Sequence, residues 1–117
     1  MRNGIHVSTA RDIDEQGMEH VCRRAVDKGM ERADTLYASI DIDILNRTFD
    51  PGTGQAVGIS GILPVQLMEA TRVLREYPVG AIDMVEVAPC WDPTGRTASM
   101  AASFLIEFLH NRLFEDV

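Results

Sequence analysis

The chain reads as an α/β protein built on a parallel sheet with flanking helices, and three observations predict it. Two apolar runs rich in β-branched residues, 35–43 (TLYASIDID) and 81–87 (AIDMVEV), lie either side of a stretch with helical periodicity. Each run gives way to a Gly- and Pro-rich loop, at 46–54 and 88–95. A long amphipathic segment then closes the sequence. Strands that alternate with helices are joined by right-handed crossovers, which makes the sheet parallel with helices on both faces.

Each element has a local reason. Residues 4–7 (GIHV) are short and apolar and read as a strand. Thr9 and Asp12 have capping-box spacing, which satisfies free amides at a helix start, and Gly17 separates this short helix from a longer one. Over 18–30, Met18, Val21, Cys22, Ala25 and Val26 recur at helical spacing. Gly29 stands near the end of that helix, where a left-handed residue is cheap. The strand at 35–43 follows. Pro64 suits a first helical turn because its missing N–H had no partner there. Leu67, Met68, Thr71 and Leu74 line one face of this helix to about Glu76, and Pro78 and Gly80 end it. The last helix, 97–114, places Ala98, Ala101, Leu105, Phe108, Leu109 and Leu113 toward the core. Parallel strands need cover and further neighbours, so three strands alone look like part of a larger domain.

The totals exclude several functions. With 18 acids against 11 bases the net charge is -7, and no basic patch exists to neutralise phosphates, so no nucleic-acid partner is expected. No apolar run approaches the roughly 20 residues that span a bilayer. The opening residues lack the apolar core of a signal peptide. Cys22 and Cys90 lie far apart, and a reduced, cytoplasmic setting is expected.

The chemistry concentrates at Asp41 and Asp43. A strand puts residues i and i+2 on one face, so both carboxylates should project together at its C-terminal end, where open α/β sheets bind ligands. Two such hard-oxygen donors are half of a site for Mn²⁺, Mg²⁺ or Ca²⁺. An Asp at a strand end also caps helices or pairs with bases, so the D-x-D alone leaves both readings open.

The longer pattern narrows them. S-I-D-I-D-I-L-N-x-x-F-D-P-G-T-G, then D-M-V-E-V-A-P, then W-D-P-T-G-R-T-A, together resemble the ureohydrolase family, which includes arginase, agmatinase and related guanidino-acid amidinohydrolases. The resemblance runs from about Gly4 to the final helix. It implies a C-terminal part of the three-layer α/β/α arginase-like fold, with residues 1–117 one segment of a single domain whose upstream half is absent. It further implies a dinuclear manganese centre in which Asp41 bridges both ions and Asp43 binds one. Glu86 is similar to the glutamate that receives the substrate guanidinium, in paired charge-assisted hydrogen bonds. The implied reaction is attack of a hydroxide bridging the ions on a guanidino compound, giving urea and an amine, with a place in polyamine metabolism. The partners implied are a small guanidino substrate and further copies of the chain, as trimer or hexamer.

The sequence also departs from the family pattern. Asn46 and Arg47 stand where Asp-Pro is common, and Gln55 stands where a substrate-contacting threonine is often found. An agmatinase-like or guanidino-acid hydrolase is therefore expected rather than arginase proper. The family's upstream histidine and Asp-x-His-x-Asp ligands have no counterpart here, since His6, His20 and His110 lie in no such block. Manganese takes about six donors, so the isolated chain is expected to hydrolyse nothing, and no residue is assigned as catalytic. Two alternative readings exist. A haloacid-dehalogenase-type Mg²⁺ phosphatase also ends a strand with D-x-D but needs a downstream lysine, and Lys28, the only lysine, lies upstream. The other is a non-catalytic domain for association. The remaining conspicuous residues read as structural: the three histidines, Cys90 as incidental, Trp91 as loop packing, Asp83 with a partner in the helix layer, and Asp92, Thr94 and Thr97 as the start of the last helix.

Overall fold

A computed structural model describes residues 4–54 and 60–114, with side chains through His110 in the last helix. The order is α1 (Ala10–Gln16), α2 (Met18–Met30), β1 (Leu36–Asp41), a 3₁₀ turn (Ile42–Ile44), α3 (Pro64–Arg75), β2 (Val79–Val85), a 3₁₀ turn (Pro89–Trp91) and α4 (Arg96–Phe114). β1 and β2 are parallel, with Ser39 opposite Asp83 and Asp41 opposite Val85. Gly4 lies in a bend at φ +71° and residues 5–9 carry no strand pairing among the described residues, so the strand expected at 4–7 is not formed there.

The helix boundaries follow local chemistry. Thr9 and Asp12 exchange hydrogen bonds at the start of α1, the Asp12 amide donating to Thr9 Oγ1 and the Thr9 amide to Asp12 Oδ2. Gly17, at φ +84°, closes α1 and opens α2. Gly29 is not the left-handed terminator expected of it. It lies within α2, and a Cβ there would stand 2.9 Å from Leu36 Cδ2. Close approach of the helix to the Leu36 side chain, not backbone conformation, is what distinguishes that position. Pro64 opens α3 as expected, and Gln66 Oε1 accepts from the Leu63 amide at 2.7 Å.

The core lies between the helices and one face of the sheet. Ile40, Ile42 and Leu45 meet Ile13, Met18 and Val21 from α1 and α2, Leu67 from α3 and Ala101 and Phe104 from α4, with Ile82 and Met84 packed alongside. Even-numbered residues of β1 turn inward while Tyr37, Ser39 and Asp41 are exposed. The described helices therefore cover one face of the two-stranded sheet, not both. On the open face the Tyr37 and Ser39 hydroxyls donate to Asp83 across the strands. Asp83 thus has a structural partner, but on the neighbouring strand instead of in the helix layer. In α4, Phe104 is a core residue that the helical face drawn from sequence omits, and Leu109 is 39% exposed. The side chain of Leu113 lies outside the described residues.

Ion pairs tie the helices into a layer. Arg23 of α2 grips Glu76 at the end of α3 through two bonds of 2.7 and 3.0 Å, and Arg72 and Arg75 of α3 both reach Glu107 of α4. This layer and the parallel strands hold the C-terminal ends of β1 and β2 side by side.

Candidate functional site

β1 ends at Asp41, and the chain does not continue as strand to Asp43. Asp41 Oδ1 accepts the Asp43 amide at 3.2 Å, which folds residues 42–44 into a 3₁₀ turn with Ile42 fully buried beneath it. Asp41 and Asp43 are thereby brought together by a side-chain-capped turn, not by the pleat of a strand. Burial, and next the charge of Asp41, push the Asp43 carboxyl above its ordinary range, and Glu86 and Asp50 add to the same field. Four acids thus share one electrostatic neighbourhood at the sheet's C-terminal rim.

Glu86 follows β2 directly, one residue beyond the register partner of Asp41. Its φ is +63°, the only left-handed backbone among described residues other than glycine. That conformation costs an L-residue about 1–2 kcal/mol, and such strain gathers at sites where a side chain must be aimed.

The loop after Asp43 is anchored at three points. At its base Leu45 bridges Ile62, with Asn46 N donating to Ile62 O and Ile62 N to Ile44 O. Asn46 accepts the Thr48 amide through Oδ1 at 2.9 Å and so makes an Asx turn. Further along, Gly52 N donates to Thr97 Oγ1 at 2.9 Å and Gly52 O accepts from Ala88 N at 2.7 Å. A Cβ on Gly52 would lie 2.8 Å from Thr97 and 2.9 Å from Asp92, so only glycine fits this docking. Asp92 accepts the amides of Thr94 and Thr97 and the Thr94 hydroxyl, which holds its carboxyl down to about 2 and sets the start of α4 as the sequence reading expects. Gln55 lies outside the described residues.

Asp50 is the residue that sequence reasoning passes over. It is 0% exposed, and neither carboxylate oxygen completes a hydrogen bond, nor does the nearby buried Thr53 Oγ1. The only signal in the sequence is an acid between Phe49 and Pro51, and nothing there says that it is buried.

The other predicted residues lie elsewhere. His20 and His110 are exposed on α2 and α4, and His6 contributes to the field at Glu31, at the end of α2. Cys90 is exposed. Cys22 is half-buried, its thiol pushed up to about 11 by burial, which makes it unreactive. Trp91 is 68% exposed, so it does not pack the loop as expected. A cavity of about 530 Å³ between residues 6–8 and α2 includes none of the acids in its lining. Asp41 and Asp43 fit a hard divalent cation as part of a donor set: their mutual repulsion is what such an ion relieves. Among the described residues no three acids, histidines or cysteines are arranged to hold an ion by themselves.

Comparison with known proteins places the fold. The chain is 32% identical over 108 residues to an agmatinase of Enterobacter sp., a match covering 92% of this chain and 34% of that protein. It superposes on the arginase of Bacillus caldovelox with a TM-score of 0.84 at 30% identity, covering 92% of this chain and 36% of that one. On the formimidoylglutamase of Bacillus subtilis the TM-score is 0.89 at 25% identity, covering 97% and 35%. The chain thus spans about a third of the length of the relatives it matches, and its fold is a part of theirs. Residues 1–110 match the arginase family as a whole. With the paired aspartates, the P-G-T-G loop and the glutamate at the end of β2 in the order described, the chain belongs to the arginase family.

Proposed function

We propose that this chain contributes part of the centre of a manganese-dependent amidinohydrolase that cleaves agmatine or a guanidino acid to urea and an amine. The observation that carries the reading is the convergence of Asp41, Asp43 and Glu86 at one rim of a parallel sheet, with Glu86 held at φ +63°. Asp41 and Asp43 are the residues of this chain that would hold manganese, as hard carboxylate donors. Bound manganese supplies activation of water near neutral pH.

The chain's own side chains do the rest of what is assigned here. Glu86 takes two N–H groups of the planar guanidinium, fixes its plane and offsets its charge. The repulsion among Asp41, Asp43 and Glu86 favours a cationic guest at the rim. The remaining metal donors come from residues outside these 117, and the tail of the substrate is read there too. The proposal includes a cytoplasmic, homo-oligomeric protein, as trimer or hexamer.

Urea release by the purified chain with Mn²⁺, against agmatine, guanidinobutyrate, guanidinopropionate and arginine, tests the division of labour. The expected outcome is Mn²⁺ binding that Asp41→Asn with Asp43→Asn abolishes, without turnover. Turnover by the 117 residues alone contradicts the partial ligand set, and unchanged Mn²⁺ binding in the double variant contradicts the ligands.

A further inference from the structure

A carboxylate sealed from water with no donor to receive is costly, by several kcal/mol if ionised. Asp50 is in that position: fully buried, both oxygens unpartnered, in a loop pinned to the start of α4 through Gly52 and Thr97. The groups that face it are the charges of Asp41, Asp92 and Arg47 and the hydroxyl of Thr97. Burial first, and then Asp41 and Asp92, push its carboxyl upward, while Thr97 and Arg47 oppose this. Asp43 in turn feels Asp50. Apart from Arg47, nothing among these groups supplies positive charge.

Two arrangements make such a residue tolerable: a permanently held proton, or a cation at the neighbouring aspartates. The first needs only a neutral polar group of the same shape, and asparagine offers that with two donors for the acceptors nearby. The second needs the acid itself. The loop carries the choice, since Asp50 lies in the same loop that leaves the Asp41–Asp43 turn, next to Gly52, which is pinned to Thr97 and Ala88.

We infer that Asp50 is a positioning residue for the divalent cation, a buried carboxylate behind Asp41 and Asp43 whose charge strengthens cation binding there and whose loop the bound cation in turn secures. This rests on the manganese reading above. Asp50 acts through the field and not as a ligand, in keeping with the absence of a three-acid ion cradle among the described residues. The effect is reciprocal by linkage: whatever Asp50 adds to cation affinity, the cation returns as stability of the native loop.

The experiment compares the wild type with Asp50→Asn, which keeps the volume and removes the charge. Free Mn²⁺ is followed by its EPR signal, and thermal unfolding is measured in EDTA and in saturating Mn²⁺. The expected result is a Kd for Mn²⁺ weakened on the order of tenfold in Asp50→Asn, as for one unit charge at protein-like screening. Its melting temperature in EDTA should equal or exceed that of the wild type, with a smaller rise on adding Mn²⁺. Equal Kd and equal rise in the two proteins overturn the inference. So does a variant that is unfolded with and without Mn²⁺, because Asp50 is then needed irrespective of the cation. Failure of the wild type itself to bind Mn²⁺ overturns the manganese reading first, and is told apart by that measurement alone.

Discussion

Glu86 sets backbone strain against its proposed guanidinium-binding role in one angle. Its φ of +63° favours glycine, yet the chain places a long acidic side chain there. Glu86→Gly should therefore raise the stability of the protein by about 1 kcal/mol, which for a domain of this size moves the melting temperature by roughly 4 °C or more. Guanidinium binding should be lost in the same variant. Glu86→Ala should lose binding without the gain in stability, because it keeps the strain. A Glu86→Gly protein no more stable than Glu86→Ala, in side-by-side thermal melts, contradicts this account of the strain.

Residue identities at the rim were legible in the sequence where chemistry alone picks them out. Asp41 and Asp43 stand two apart in an apolar run, and Glu86 sits where a second such run ends. What was not legible depends on packing. The cap from Asp41 onto the Asp43 amide, the left-handed Glu86 and the sealed Asp50 are settled by neighbours distant in the chain. A pattern of residue types carries no record of them.

At the scale of elements, the loop between β1 and α3 is governed by its closure. Gly61 lies against the backbone of the outgoing arm: an added Cβ would stand 2.4 Å from the Leu45 carbonyl carbon and 2.5 Å from Asn46 N. No side chain can yield there, since the opposing atoms are main chain. Gly61→Ala should cost about 2 kcal/mol or more through forced backbone shifts, and should open the Leu45–Ile62 bridge. Chemical denaturation reads the first effect. Hydrogen exchange at the Asn46 and Ile62 amides reads the second, and unchanged protection there would falsify the closure argument. Gly17→Ala, by contrast, meets no atom but takes on a φ of +84°, so its cost is conformational.

Helix ends were the most legible elements, because caps and prolines act over three or four residues. The capping box at Thr9 and Pro64 at the first turn of α3 stand where the sequence places them. The strands were placed less well: β1 stops at Asp41, since a side-chain acceptor two residues before an amide favours a turn over continued pleat. The omission of Phe104 from the buried face of α4 has a similar origin. That helix packs on α3, and its Phe104 also joins the cluster around Ile40, Ile42 and Leu45, so its buried stripe is broader than one helical face.

The whole molecule carries opposed titrations. Asp43 and Asp50 have raised carboxyls, so their ionisation opposes folding above the unfolded value of 3.8 and protonation relieves it. Asp92, held down to about 2, works the other way: it stabilises the native state above 3.8, and that contribution is lost as the pH falls through 3.8 toward 2. Asp12, Asp83, Glu76 and Glu107 are lowered likewise. Without divalent cation, stability should rise as the pH falls from neutrality into mild acid and then drop steeply below about 4. With Mn²⁺ the rise on the neutral side should disappear, because the cation supplies the charge that protons otherwise provide. Melting temperatures across pH in EDTA and in Mn²⁺ check this, and parallel profiles would contradict it.

The open sheet face is the largest departure from the layered architecture expected of an α/β fold. Periodicity in β1 shows which residues alternate, but it does not say what lies beyond the exposed set. The same holds for the chain's length relative to its relatives: one third of their fold retains the strand ends and loop that carry three acids. The central claim, that Asp41 and Asp43 are manganese ligands beside a guanidinium-binding Glu86, is tested most directly by anomalous diffraction at the manganese edge from crystals grown with Mn²⁺ and agmatine. The account predicts an anomalous peak within about 2.0–2.6 Å of both the Asp41 and Asp43 carboxylates, with the guanidinium paired to Glu86. A peak that touches neither aspartate, or a guanidinium bound away from Glu86, contradicts it.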